Sequence, residues 1–201
     1  MEIELKLRLQ DSTAHQKLIA VLSPHRRKTL TQENIFFDTS RLELARAGSA
    51  LRLRFCNLDS ECFVALKSNA KLSSGVSRVE ELEEAVEPGL GRACVEEPGL
   101  VVGMLPAGML DRVTAISRNG LTCLGGFKNV RQVFEWEGLK LEVDETGYEF
   151  GCSYEVECET PEPEKARSLL EALLRDHNIP FSYATANKFA VFMSRKLPPW
   201  P

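Results

Sequence analysis

Apolar and charged residues alternate with a period of two in stretch after stretch of this chain. In "MEIELKLRL" (1–9), Ile3, Leu5, Leu7 and Leu9 fall on one face of a strand, and Glu2, Glu4, Lys6 and Arg8 fall on the other. In "LRLRF" (51–55), Leu51, Leu53 and Phe55 oppose Arg52 and Arg54. In "LKLEVDE" (139–145), Leu139, Leu141 and Val143 oppose Lys140, Glu142 and Asp144. In "YEVECE" (154–159), Tyr154, Val156 and Cys158 oppose Glu155, Glu157 and Glu159. "SRVEE" (77–81) splits less cleanly, with Arg78 and Glu80 against Val79 and Glu81, and it leaves open which glutamate shares the charged face. A helix cannot separate residues at this period, so the pattern demands a sheet with two chemically different faces.

Two sheets satisfy it. In one, apolar faces meet in a core and charged faces meet water. In the other, the sheet closes into a barrel, the charged faces line a wet lumen, and helices cover the apolar outside. The rest of the chain supplies the helices. "STAHQKLIAVL" (12–22) has an apolar stripe of Leu18, Ile19 and Leu22, with Asp11 or Ser12 as cap and Pro24 as stop. Pro161 and Pro163 introduce a helix over 162–178 with Leu169, Leu170, Leu173 and Leu174 on one side. Residues 88–120 are punctuated by Gly and Pro and read as short helices outside the main sheet, and 185–197 reads as a final short helix. Strands are expected at 30–39, 49–55, 62–67, 75–87, 121–136, 139–145 and 153–160 besides the first. Such amphipathic helices need an apolar surface to pack on, which the outside of the barrel offers. The expected fold is mainly β, a single domain over 1–201 with about eight strands.

Several functions are disfavoured. Of 201 residues, 25 are Lys or Arg and 29 are Asp or Glu, a formal charge of −4 that repels a polyanion on average and argues against nucleic acid as partner. No stretch of about 18 apolar residues occurs, so no membrane span is expected. Glu2 and Glu4 stand where a signal peptide is basic, and the six cysteines form no C-x-x-C pair. The expectation is a cytoplasmic protein with reduced thiols and no evident need of a protein partner. "DETGYEFG" (144–151) fails the spacing of a calcium-binding EF-hand loop, and no phosphate-binding G-x-x-x-x-G-K-[ST] loop or nucleophile elbow is present.

A lumen lined by Arg, Lys and Glu cannot be left dry, because each unpaired buried charge costs several kcal/mol. Arg forks match phosphate oxygens and Lys supplies point charge, while carboxylates match Mg²⁺ or Mn²⁺. A polyphosphate with its metal ions satisfies both sets at once.

At this point the residues resemble a known family. "E-x-E-x-K" at Glu2, Glu4 and Lys6 is similar to the signature of the CYTH superfamily, the triphosphate tunnel metalloenzymes. The similarity continues in order through 51–54, 65–67, 77–81, 129–136, 141–145, 154–159 and 187–192, and is strongest to the short, single-domain plant form. It implies a closed eight-stranded antiparallel β-barrel tunnel with helices packed outside and a C-terminal helix at its mouth. It also implies metal-dependent hydrolysis of the terminal phosphate of a triphosphate, most closely inorganic tripolyphosphate. By the resemblance, Lys6, Arg52, Arg54, Lys67, Arg78, Arg131 and Lys188 bind phosphate. Glu2, Glu4, Asp144, Glu155 and Glu157 hold two Mg²⁺ or Mn²⁺ ions, with Glu80 a further metal candidate. Glu2, Glu4 and Lys6 carry the catalysis. Thiamine triphosphatase, adenylate cyclase and a non-catalytic polyphosphate-binding module stand as alternatives.

Overall fold

The computed structural model describes residues 1–117 and 119–201. Its strands are β1 (Glu2–Leu9), β2 (Arg26–Thr39), β3 (Ser49–Cys56), β4 (Glu61–Ser73), β5 (Val76–Val86), β6 (Leu121–Trp136), β7 (Leu139–Tyr148), β8 (Gly151–Glu159) and β9 (Phe181–Tyr183). They form one sheet in the order β5-β4-β3-β2-β6-β7-β8-β1-β9, and β5 also pairs with β1. Eight strands thus close into an antiparallel barrel, and β9 is an extra strand added to β1. The helices are α1 (Ser12–Leu22), α2 (Glu43–Arg46), α3 (Pro88–Glu96), α4 (Val101–Met104), α5 (Ala107–Ile116), α6 (Pro163–Asp176) and α7 (Lys188–Ser194). A mainly β fold of about eight strands is what the alternation predicts, and closure into a barrel is what the resemblance implies. β9 went unread because three residues are too few to show a period.

The chain divides into two compact units. The first comprises Met1–Leu30, Lys71–Arg78 and Lys128–Pro201. In it, Leu5, Leu7 and Leu9 of β1 join Phe134, Leu141, Val143, Val156 and Cys158 of β6 to β8. Leu18 and Leu22 of α1 and Leu170, Leu173 and Leu174 of α6 pack on this surface. Asp11 starts α1 by accepting a hydrogen bond from the Ala14 N–H at 2.9 Å. Pro163 sits at the first turn of α6, where its missing N–H costs nothing. Leu170 is fully buried, and truncating such a side chain to alanine costs about 2–5 kcal/mol.

The second unit comprises Thr31–Ala70 and Val79–Phe127. Leu51, Leu53 and Phe55 of β3 and Cys62, Val64 and Leu66 of β4 face Leu44 of α2, Cys94 of α3, Val101 of α4, and Met109 and Val113 of α5. Among the described residues the Gly- and Pro-punctuated stretch is therefore α3, a 3-10 turn at Pro98–Leu100, α4 and α5, laid on the apolar side of strands.

This decides between the two sheets. In both units helices cover the apolar strand faces. The charged faces are not the solvated side: Glu4 and Lys6 are 8% exposed, Glu155 and Glu157 4%, and Asp144 0%.

Gly126 on β6 is required by contact. A Cβ there would stand 1.7 Å from the Asn34 carbonyl oxygen of β2, a collision with backbone that no rotamer relieves. We expect Gly126→Ala to destabilise the fold by about 1–3 kcal/mol, the range of an overpacked core. Urea unfolding should show a lower midpoint at unchanged slope. A wild-type midpoint would mean that β2 and β6 separate at no cost.

Candidate active site

Strand pairing assembles a buried charge cluster in the first unit. The register places Lys6 of β1 opposite Glu157 of β8. It places Glu157 opposite Glu142, Glu155 opposite Asp144, and Asp144 opposite Arg131 of β6. Alternation then turns these side chains to one face. Asn187 starts α7 by accepting from the Ala190 N–H at 2.8 Å, which sets Lys188 in the first turn.

Glu157 is the centre of the cluster. Its Oε1 lies 2.7 Å from Lys6 Nζ and 2.7 Å from Lys188 Nζ, and its Oε2 lies 2.8 Å from Arg131 Nη2. Lys6 also meets Glu4 at 2.6 Å. Lys188 also meets Asp144 at 2.9 Å and Glu155 at 3.2 Å. Arg131 grips Asp144 with two N–H groups, at 2.8 and 2.6 Å, and donates a further bond to Glu142. Three cations (Lys6, Arg131, Lys188) thus stand among five carboxylates (Glu4, Glu142, Asp144, Glu155, Glu157).

Burial opposes every charge here, and the neighbours decide the outcome. It would push Asp144 up, but Arg131 and Lys188 outweigh it and hold the carboxyl at about 2. Burial is likewise overcome at Glu157, which Lys188, Lys6 and Arg131 keep well below the usual range. At Glu155 burial prevails and the value rises. Burial would lower Lys6, yet Glu157 and Glu4 raise it above its ordinary value. Lys188 is raised in the same way by Asp144, Glu155 and Glu157.

Could this set hold a metal? The donors are all carboxylate oxygens, as a hard divalent cation requires, and the five still outnumber the three buried cations together with the exposed Lys140, which reaches Glu142 at 2.8 Å. Among the described residues no group of three or more such side chains is drawn together as a ready cage. The carboxylates are turned instead to Lys6, Arg131 and Lys188. The donor chemistry fits, provided those cations have an anion to move to.

The second unit carries its own charged set. Arg52 Nη2 reaches Glu81 at 3.5 Å and Glu83 at 3.4 Å, and Lys67 Nζ reaches Glu81 at 2.8 Å. Arg54 Nε donates to Asn34 Oδ1 at 3.3 Å.

Of the residues singled out from sequence, Glu4, Lys6, Arg131, Asp144, Glu155, Glu157 and Lys188 come together in the first unit. Glu2 is partly exposed at the start of β1, and Arg78 is exposed. Glu80 stands elsewhere: it is exposed and accepts from Asn69 at 3.2 Å and Arg112 at 3.1 Å. Glu81 is the glutamate beside Arg52 and Lys67. Val79 is buried on the same side of the period as Glu81, so alternation could not separate the two faces there. Glu142 was missed, although its parity with Asp144 marks it. Asn34 carries no charge pattern and shows only through its register opposite Arg54.

Asp144 gives the acid limb of stability its sign. Its folded value of about 2 lies below the ordinary 3.8, so the unfolded chain protonates first. The contribution is complete above about pH 4 and is lost as the pH falls toward about 2. Glu157 acts in the same direction and Glu155 in the opposite one. On the alkaline side Lys6 and Lys188 stabilise below their ordinary value and lose this only as the pH rises through their higher folded values. Thermal melts of chelator-treated protein should show Tm falling between about pH 4 and pH 2, and falling less steeply in Asp144→Asn. A wild-type Tm that is flat across that window contradicts the pairing.

The CYTH domain family matches residues 1–191. Among solved structures, HpAC1 from Hippeastrum, an adenylyl cyclase candidate described as revealing a dominant triphosphatase activity, has a TM-score of 0.94 at 48% identity, covering 99% of this chain and 98% of that one. An adenylate cyclase candidate from Bacillus halodurans has a TM-score of 0.74 at 24% identity, covering 96% and 97%. The PH1819 protein from Pyrococcus horikoshii has 0.65 at 18%, covering 98% and 100%. These last two share the fold. No curated protein sequence matches the chain. With nearly its whole length matched and the charge cluster in place, the chain belongs to the CYTH domain family.

Proposed function

We propose that this chain hydrolyses the terminal phosphate of a triphosphate with Mg²⁺ or Mn²⁺, and that inorganic tripolyphosphate is its substrate. The observation that carries the reading is the buried cluster around Glu157, where cations and surplus carboxylates hold one another in place of an anion and its metal. The triphosphatase activity described for the Hippeastrum neighbour, at 48% identity, supports it.

In this reading Lys6, Arg131 and Lys188 leave their carboxylates for phosphate oxygens. Glu4, Asp144, Glu155 and Glu157, with Glu2 by the resemblance, then hold the divalent ions. Arg52, Arg54 and Lys67 of the second unit are assigned to phosphate by the same resemblance. A bound ion of this kind lowers the pKa of a water and neutralises charge on the oxygens that attack and leave. The protein's own part is placement and charge. The lysines and Arg131 orient the phosphate chain and offset the negative charge that grows on the transferred group. The cations need no reorganisation beyond the exchange of partners, since each is already held within the cluster. In this reading the carboxylates are committed to the divalent ions, and water is the attacking species. Among the described residues no helix is long and apolar enough to cross a membrane. The free cysteines accord with a reducing compartment, and we propose the cytoplasm.

Phosphate release from tripolyphosphate, ATP and thiamine triphosphate, each with and without Mg²⁺, tests the reading. Tripolyphosphate is expected to be hydrolysed fastest and only with the ion. Faster turnover of ATP or thiamine triphosphate overturns the substrate, and full turnover without metal overturns the metal dependence. Glu4→Ala should lower kcat by about 10²–10³-fold, the scale of removing one preorganised electrostatic group, while the protein stays folded. Near wild-type turnover would return Glu4 to a structural role. Ca²⁺ should bind the same oxygens and inhibit, because its longer, looser coordination misplaces reacting atoms. Full turnover with Ca²⁺, or indifference to a large excess of it, would count against a carboxylate metal site.

A further inference from the structure

Arg8 sits on the charged row of β1, two residues beyond Lys6, with Glu155 directly across the strand pair. A carboxylate is the obvious partner, yet the guanidinium turns to the C-terminal segment. Its Nη1 donates to the Pro199 carbonyl at 2.9 Å and its Nη2 to the Pro198 carbonyl at 2.8 Å. The Trp200 ring lies 5.6 Å from the guanidinium carbon, within range of a cation–π contact. Leu197 lies across Gly151 at the start of β8, so close that a Cβ on that glycine would meet Leu197 Cδ1 at 2.9 Å. Residues 197–200 therefore form a strap laid back over the ends of β8 and β1.

Two residues, Arg195 and Lys196, join the strap to α7, and Arg195 pairs with the exposed Glu149 at 2.6 Å. That helix has seven residues, too few to be stable alone, and only Val191 of it is buried. Its N-terminal end is fixed by the Asn187 cap and by the ion pairs of Lys188. Its C-terminal end closes at Arg195 in a left-handed conformation, and the chain then runs into the strap. The two prolines fix φ, so the strap gives up little freedom when Arg8 takes its carbonyls. Two charged donors on adjacent carbonyls are a directional hold that a lone lysine could not copy.

We infer that Arg8 is a positioning residue: by clasping the Pro198 and Pro199 carbonyls it anchors the strap behind α7 and so holds Lys188 in place among Asp144, Glu155 and Glu157. The inference rests on the reading above, in which Lys188 binds the substrate's phosphate. One strand then carries three duties in a row, with Glu4 for metal, Lys6 for phosphate and Arg8 for the helix that delivers the second lysine.

The test compares full-length Arg8→Ala, Arg8→Lys, a strap variant (Pro198→Gly, Pro199→Gly and Trp200→Ala together), Lys188→Met and their combinations. Arg8→Ala and the strap variant should each raise KM for tripolyphosphate about tenfold, a loss of about 1.4 kcal/mol, with kcat changed far less. Together they should do no more than either alone. In the Lys188→Met background neither should add anything, and Arg8→Lys should recover part of the loss. Effects that multiply, effects that persist in full without Lys188, or a strap variant that binds substrate more tightly would overturn the inference, since each makes Arg8 a direct phosphate contact. Lys188→Met with an unchanged KM would instead refute the role of Lys188 in binding. Hydrogen exchange then decides the clasp by itself: amides of 188–194 should exchange faster in Arg8→Ala and in the strap variant, and unchanged exchange in both overturns it. Should Arg8→Ala not fold, Arg8→Lys and the strap variant carry the same comparison.

Discussion

Glu157 is the one group on which the buried charge cluster depends. It is buried on β8, and three cations from three other elements converge on it: Lys6 from β1, Arg131 from β6 and Lys188 from α7. A buried ion pair contributes little net stability over an apolar replacement, but removing one partner leaves a charge stranded and costs about 3–5 kcal/mol. Such an arrangement is poor material for a core whose only task is to be stable. It is well suited to a surface that must hold charge ready for a ligand, because every member is preorganised by an opposite charge until the ligand's own charges take over.

The helices make this arrangement tolerable. α1 and α6 in the first unit, and α2 to α5 in the second, bury the apolar half of each strand. Hydrophobic burial on that side offsets the desolvation of charge on the other. The strands are thus neither solvated on one face nor apolar on both, and alternation at period two is the sequence trace of that compromise.

Much of this was legible beforehand. Leu5, Leu7 and Leu9 against Glu4, Lys6 and Arg8 announced a two-faced strand, and the stripes at Leu18, Leu22, Leu170 and Leu174 announced helices in search of an apolar surface. What alternation alone left open was which face met water, and only the packing of α1 and α6 answered it. The resemblance to a known family supplied the roles of the residues, which charge pattern cannot do. The choice between Glu80 and Glu81 stayed open because β5 buries Val79 on the same side that carries Glu81, so polarity and parity disagree there. Asn34 was invisible because a neutral amide leaves no pattern. Glu142 was visible and passed over, its parity with Asp144 being as good a sign as that of Glu155 with Glu157. The strap lay outside any period, in prolines whose carbonyls, not side chains, make the contact.

The separation in sequence between β1 and β8 has a consequence for how the molecule comes into being. Lys6 and Glu157 are 151 residues apart. At 5–20 residues per second a ribosome needs about 8–30 s to cover that distance, long on the scale of secondary-structure formation. During that interval the β1 segment has no β8 to pair with, and unpaired apolar strand segments are prone to join other chains. Its row of Glu2, Glu4, Lys6 and Arg8 places four charges on that exposed ribbon, the device by which natural strands are kept from pairing with strangers. These four charges therefore guard the nascent chain, and replacing them with neutral residues would be felt in yield.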